Sequence, residues 1–252
     1  MHPTSQSILN KIRQQTPLVH NITNYVVMNN TANALLAIGA SPVMAHSTEE
    51  VEDIVSISSS LVINMGTLSK PWVDAMLLTV KKAKKLNIPF VFDPVGVGAS
   101  FYRITSAQDI IASAVPLVIR GNASEIAALA QVSNTTKGVD STIAANDALS
   151  AAQELSKNLN NTIVISGETD YVVTQDKVTE IKGGDDLMSK VTGMGCTATS
   201  IIGACLAVEK DAHLASCAAM EIMAEAGSLA AELSEGPGSF QMHFIDKLYT
   251  CK

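Results

Sequence analysis

The chain has 252 residues, 47% of them hydrophobic, 16% charged and 4% aromatic, with a formal net charge of −7. That composition builds a sizeable globular core, and the acidic balance argues against nucleic acid and anionic membrane as partners. The one basic run, Lys81, Lys82, Lys84 and Lys85, reads as the solvated face of a helix.

Residues 1–6 carry neither the charged nor the apolar region of a signal peptide. No stretch is expected to supply the ~20 apolar residues of a membrane span. The four cysteines (Cys196, Cys205, Cys217, Cys251) show no CxxC spacing, and no zinc-ligand pattern joins them to the five histidines. The expectation is a reduced, cytoplasmic protein.

In chain order, helical patterning over 26–37 leads to a short apolar run at 42–45. A helix over 49–58 precedes a second run at 61–64. Pro71, after Ser69 as a candidate cap, opens a helix to residue 86. A third run at 90–93, a helix over 106–114 and a fourth run at 117–120 follow. A helix over 144–159 and a run at 162–166 come next. The runs are short and unbroken, as in strands buried on both faces of a parallel sheet. Segments 171–174 and 178–181, split by Gln175-Asp176-Lys177, predict an edge hairpin. After Cys196 the sequence is helical nearly to its end. This alternation predicts a three-layer, doubly wound α/β fold: a mostly parallel sheet with helices on both faces, in one domain over 1–252.

In such sheets ligands bind beyond the carboxyl ends of the strands, where polar and glycine residues collect here. Asp93-Pro94-Val95-Gly96 is either a simple turn or a carboxylate beside closely approaching backbone. Asn122-Ala123-Ser124-Glu125 is either a helix cap or a carboxylate that holds Mg²⁺ waters. The stretch VTGMGCTATS lacks the Walker A ending, and it is no dinucleotide fingerprint. Its Gly193 and Gly195 permit a tight turn that aims the amides of Met194, Gly195 and Cys196 at one point, an anion hole at a helix start.

Together these motifs resemble the ribokinase-like small-molecule kinases, whose last loop normally ends in Asp. Here Cys196 stands in that place. With VHNITNYV (19–26), SPVM (41–44), NMGTL (64–68), DPVGVGA (93–99), RGNASE (120–125) and TGMGC (192–196), nearly the whole chain resembles the hydroxyethylthiazole kinase family of thiamine biosynthesis and salvage. The resemblance implies ATP as phosphoryl donor and 4-methyl-5-(2-hydroxyethyl)thiazole as acceptor. It assigns Arg120, Ser166 and Thr192 to ATP, and Asp93 and Glu125 to Mg²⁺ and the phosphates. It assigns Met44 and the Gly193 backbone to the thiazole, with Asn24, Met65 and Gly66 as walls. Gly193, Gly195 and Cys196 form the catalytic loop. It further implies a homotrimer with substrate pockets between subunits.

Cys196 has three readings: packing, a general base whose pKa the helix start lowers, or a passive neighbour of the acceptor hydroxyl. Two rival functions stand beside the kinase. One is another chemistry on this fold, an ATP-dependent hydrate dehydratase or a pyrimidine or pyridoxal kinase. The other is a non-catalytic nucleotide sensor. His46, His213, His243, Trp72 and the methionines at 220 and 223 are expected to be structural.

Overall fold

The apolar runs become one sheet. The computed structural model describes residues 1–135 and 148–251, so positions 144–147 of the helix expected over 144–159 lie outside the described residues. The strands are β1 (Leu18–Ile22), β2 (Ser41–Val43), β3 (Ser60–Asn64), β4 (Phe90–Asp93), β5 (Val118–Asn122), β6 (Thr162–Ser166), β7 (Asp170–Val173) and β8 (Val178–Ile181). They lie in the order β2-β1-β3-β4-β5-β6-β7-β8. The first six pair in parallel; β7 and β8 turn back as the antiparallel edge hairpin.

The helices are α1 (Pro3–Gln15), α2 (Met28–Ala37), α3 (Val51–Ser56), α4 (Lys70–Leu86), α5 (Phe101–Ser113), α6 (Ala123–Thr135), α7 (Ala148–Leu159), α8 (Met194–Leu206), α9 (Ala212–Ala231) and α10 (Pro237–Thr250). Residues of α1, α2, α8, α9 and α10 share one core, and residues of α3 to α7 share the other. The three-layer expectation therefore holds.

The sheet's two faces differ in bulk. Val19, Val62, Val91, Val118, Val164 and Val172 face the first core. The other core takes Leu61, Ile63, Phe90, Phe92, Ile119 and Ile163. Small side chains on one face let a small-residue helix approach closely, and α8 uses that space. At Gly203 an added Cβ would lie 2.6 Å from Val62 Cγ2. This seating fixes where α8 begins, and hence where its free amides sit.

Two elements were not legible from pattern. β1 carries His20 and Asn21, both buried, in place of an unbroken apolar run. His20 Nε2 bonds the Ala45 carbonyl at 2.8 Å, and Asn21 accepts from Ser200 Oγ at 2.9 Å. α1 starts with His2 as cap and Pro3 in the first turn. Ser69 does sit at the N-cap of α4, but its side chain makes no cap hydrogen bond. One expectation is corrected. α9, 20 residues long, is apolar enough to cross a membrane by length and composition, yet 67% of its most apolar window is buried inside this fold. It is a core helix between α8, α10 and the hairpin.

Val62 is β-branched and enclosed, so it has no room to yield. Gly203→Ala is expected to destabilise the fold by about 1–3 kcal/mol. Urea unfolding reads this directly, and an unchanged midpoint would contradict the close seating of α8.

Candidate active site

Sheet register assembles the site before any side chain is considered. β3 pairs with β4 so that Asn64 lies beside Asp93, and β5 pairs with β6 so that Asn122 lies beside Ser166. Asp93 is completely buried. Its Oδ2 accepts from Thr199 Oγ1 at 2.7 Å and from Asn64 Nδ2 at 3.0 Å, with Arg120 Nη1 at 3.5 Å. Its Oδ1 is buried with no partner. Burial outweighs the Arg120 charge and the two hydrogen bonds, and pushes this carboxyl up from the ordinary 3.8 to about 6.

From Asp93 the contacts run both ways. On one side Arg120 Nη2 donates to Ser166 Oγ, and Arg120 passes beneath Gly195, where a Cβ would meet Nη1 at 2.4 Å. On the other side Asn64 Oδ1 accepts from Asn24 Nδ2 at 2.8 Å and from the Gly66 N–H at 2.9 Å. Asn24 Nδ2 also reaches Cys196 Sγ at 3.5 Å. One polar chain thus links Ser166, Arg120, Asp93, Asn64, Asn24 and Cys196.

α8 opens over this chain. Gly193, at φ +88°, is its N-cap, and the first helical bond runs from Thr197 N–H to the Gly193 carbonyl at 2.8 Å. The N–H groups of Met194, Gly195 and Cys196 precede it, so the helix offers them no acceptor. They form an anion-binding cradle reinforced by the helix dipole. Arg120, Ser166, Gly193 and Gly195 line one cleft of about 760 Å³. Cys196, half-buried, is not among the residues that line it. Burial, then the Asp93 charge, raises its thiol to about 11. Both act against the reading of Cys196 as a base activated by the helix start and favour the passive one.

Glu125 does the capping job its spacing left open, and it also binds the loop after Asp93. Its Oε2 accepts from the Asn122 N–H at 2.9 Å while Asn122 Oδ1 accepts from the Glu125 N–H at 2.9 Å, a reciprocal cap. Its Oε1 accepts from the Gly96 N–H at 2.8 Å, tying α6 to the loop after Asp93.

Other expected residues fall differently. Thr192 is exposed and is not among the residues that line the cleft, although its neighbours Val191 and Gly193 are. The Met65 side chain is fully buried in the core; only its backbone reaches the site. Met44 is half-buried at the end of β2, joined to the site through neighbours. Its carbonyl meets His46 Nδ1 at 3.1 Å, and the His46 ring stacks on Trp72 at 3.9 Å. Trp72 Nε1 donates to the Thr23 carbonyl at 2.7 Å, next to Asn24. Trp72 and His46 are structural residues that tie Met44 to the segment before Asn24.

Thr199 and Arg103 escaped the sequence reading, and Asn64 entered it only within the segment NMGTL, with no role of its own. Arg103 donates to the carbonyls of Met65, Gly66 and Val95, clamping the loops after β3 and β4 together. A signal existed: the chain has three arginines, Arg13, Arg103 and Arg120, and one inside an α5 that buries Ala107 and Ile110 calls for partners.

Comparison with known proteins decides the family. The hydroxyethylthiazole kinase family model matches residues 9–252. The chain belongs to the hydroxyethylthiazole kinase family. It is 51% identical over 241 residues to a hydroxyethylthiazole kinase of Leptospira biflexa, covering 96% of this chain and 90% of that one. The structure of a hydroxyethylthiazole kinase from Pyrococcus horikoshii superposes with a TM-score of 0.92 at 35% identity, covering 100% and 94% of the two chains. A ribokinase-like superfamily protein from Enterococcus faecalis shares the fold, with a TM-score of 0.69 at 15% identity over 97% and 94%.

Folding raises the Asp93 pKa, so the folded chain holds the extra proton between pH 3.8 and about 6. This group's contribution to stability therefore falls as pH rises through that window. Asp93→Asn is expected to leave the melting temperature at pH 7 within a few degrees while removing at least about 10²-fold of activity. In the unaltered protein, kcat/KM is expected to decline on the acid side with an apparent pKa near 6; a flat profile down to pH 5 would contradict this. Arg103→Lys keeps the charge and loses the fork. It is expected to lower kcat/KM about 10²-fold by letting the loops drift, which steady-state kinetics would show.

Proposed function

We propose that this chain transfers the γ-phosphoryl group of ATP to the hydroxyl of 4-methyl-5-(2-hydroxyethyl)thiazole, giving ADP and the thiazole phosphate used in thiamine biosynthesis or salvage. The observation that carries the reading is the meeting of α8's free amides with Arg120 above a buried Asp93 that keeps one oxygen unpartnered. Phosphoryl transfer needs positioned positive charge more than covalent help. The acceptor oxygen bonds to the γ-phosphorus, the β–γ bridging bond breaks with its electrons leaving on ADP, and the hydroxyl proton passes to phosphate or water. Arg120 and Ser166 hold the donor's phosphates. The amides of Met194, Gly195 and Cys196 take the charge that builds on the transferred group.

The donor set suits Mg²⁺ held mostly through water and substrate phosphates. No cluster of three or more His, Cys, Asp or Glu able to hold a metal exists among the described residues. Asp93 Oδ1, buried and without a partner, would turn to the metal's waters; Glu125, with both oxygens on backbone N–H groups, would offer its remaining lone pairs. Bound Mg²⁺ would neutralise phosphate charge.

Asn24, Gly66, Met44 and the Gly193 backbone form the acceptor side, with the Met65 carbonyl held by Arg103. Cys196, a protonated thiol accepting from Asn24, leaves room for the hydroxyl and takes no proton. We include a homotrimer in this reading: Tyr25 and Val26, beside Asn24, are 65% and 58% exposed, an apolar rim that a neighbouring subunit would cover. One domain over 1–252 and a reducing cytoplasm, suited to the free thiols of Cys196, Cys205, Cys217 and Cys251, complete it.

A coupled ADP-release assay tests the function. Turnover with MgATP is expected only when the thiazole alcohol is added, with a pyrimidine alcohol as control. ATP-dependent turnover of the pyrimidine alone, or none from a folded protein that binds ATP, would overturn it in favour of a sister activity or a sensor. Cys196→Ala is expected to lower kcat by less than the ~10²–10⁴ typical of a lost general base, and Cys196→Asp to remain active. A larger loss in a folded Cys196→Ala protein would restore a catalytic role to the thiol.

A further inference from the structure

The kinase reading accounts for the phosphate end of the donor, and an inference about the base end rests on that reading. The same cleft extends from Arg120 and Ser166 to a wall made by Met188, Val191, Met220, Met223 and Ala224. Met188 and Val191 come from the segment ahead of α8; the other three come from α9. A thioether is polarizable, flexible and without a directional donor, so it fits flat rings without reading their edges.

Several of the polar groups beside this wall, on Gly184, Asp185 and Ser189, are already engaged. The Gly184 N–H donates to the Ala224 carbonyl at 3.0 Å and to Ser228 Oγ at 2.9 Å, and the Gly184 carbonyl accepts from Ser228 Oγ at 3.1 Å. Ser189 Oγ donates to the Asp186 carbonyl at 2.7 Å. Asp185 Oδ1 caps the Leu187 N–H at 2.9 Å. Groups bound to their own chain lose that bond if they turn to a base.

We propose that the methionine wall holds the nucleobase by apolar contact alone, so that the protein accepts purine nucleoside triphosphates as a class, with guanine and hypoxanthine serving as well as adenine. Sites that hydrogen-bond a substrate group reject analogues lacking it by about 10⁴–10⁵, whereas apolar pockets separate near-isosteres by only about 10–200-fold. Adenine, guanine and hypoxanthine share one bicyclic face and differ at their edges. With GTP the chemistry is unchanged: the acceptor oxygen bonds to the γ-phosphorus, the β–γ bridge electrons leave on GDP, and the hydroxyl proton goes to phosphate or water.

The test separates binding from turnover. The full chain is titrated calorimetrically with MgADP, MgGDP and MgIDP, and turnover is measured with ATP, GTP and ITP at saturating thiazole alcohol. Dissociation constants within about 30-fold of one another support the proposal. A wider preference for ADP means an adenine reader; a wider preference for GDP means that Asp185 or Asp186 reaches the base edge. Either overturns it. Equal binding without turnover from any triphosphate supports the base pocket and sinks the kinase reading; binding of none overturns both. Met188→Ala is expected to weaken ADP and GDP by the same factor, about 3–10-fold. A change of more than threefold in their ratio would show edge reading and overturn the proposal. The ratio is insensitive to any fraction of the variant that fails to fold.

Discussion

The buried carboxylate of Asp93 is the constraint around which the structure is arranged. A carboxylate without water is costly unless it is bonded. Three donors converge on its Oδ2: Thr199 from α8, Asn64 from β3 and Arg120 from β5. Each comes from a different part of the chain, so one charge registers helix and sheet against each other. The donors leave Oδ1 bare, and burial prevails in the pKa. The fold keeps a carboxylate that destabilises it near neutrality, a usual mark of a functional group.

Packing delivers the rest. Valines on one sheet face leave the shallow surface on which α8 rests at Gly203. Seated there, α8 starts directly above Arg120, and its first amides meet the guanidinium's field. Gly195 is required because Arg120 occupies the space of its missing side chain. Arg103 and Glu125 then hold the loop after Asp93 from opposite sides, through the Val95 carbonyl and the Gly96 amide. Anion cradle, carboxylate and acceptor wall are thus positioned by elements whose own places are set by the core.

Much of this was legible in the sequence. Unbroken apolar runs gave away β3, β4, β5 and β6 because both faces of the parallel sheet are covered. The glycine-rich and acidic residues at their ends marked the rim. β1 was hidden because its buried His20 and Asn21 are satisfied by Ala45 and Ser200, partners no local pattern reveals. Thr199 escaped for the same reason: it lies 106 residues from Asp93 and looks like any helical threonine. Cys196 misled in one respect. A helix start lowers a thiol's pKa when it is exposed to the dipole, but here burial and the Asp93 charge act the other way. Spacing identifies which residues gather at a rim; it does not report how dry that rim is.

The central claim is that the free amides of α8 and the Arg120–Asp93 pair form one phosphoryl-transfer centre. It is tested most directly by a crystal structure with MgADP, aluminium fluoride and the thiazole alcohol. The fluoroaluminate is expected against the amides of Met194, Gly195 and Cys196, with the metal on the Asp93 side and the alcohol oxygen near Cys196. A fluoroaluminate bound elsewhere in the cleft, away from those amides, would contradict it.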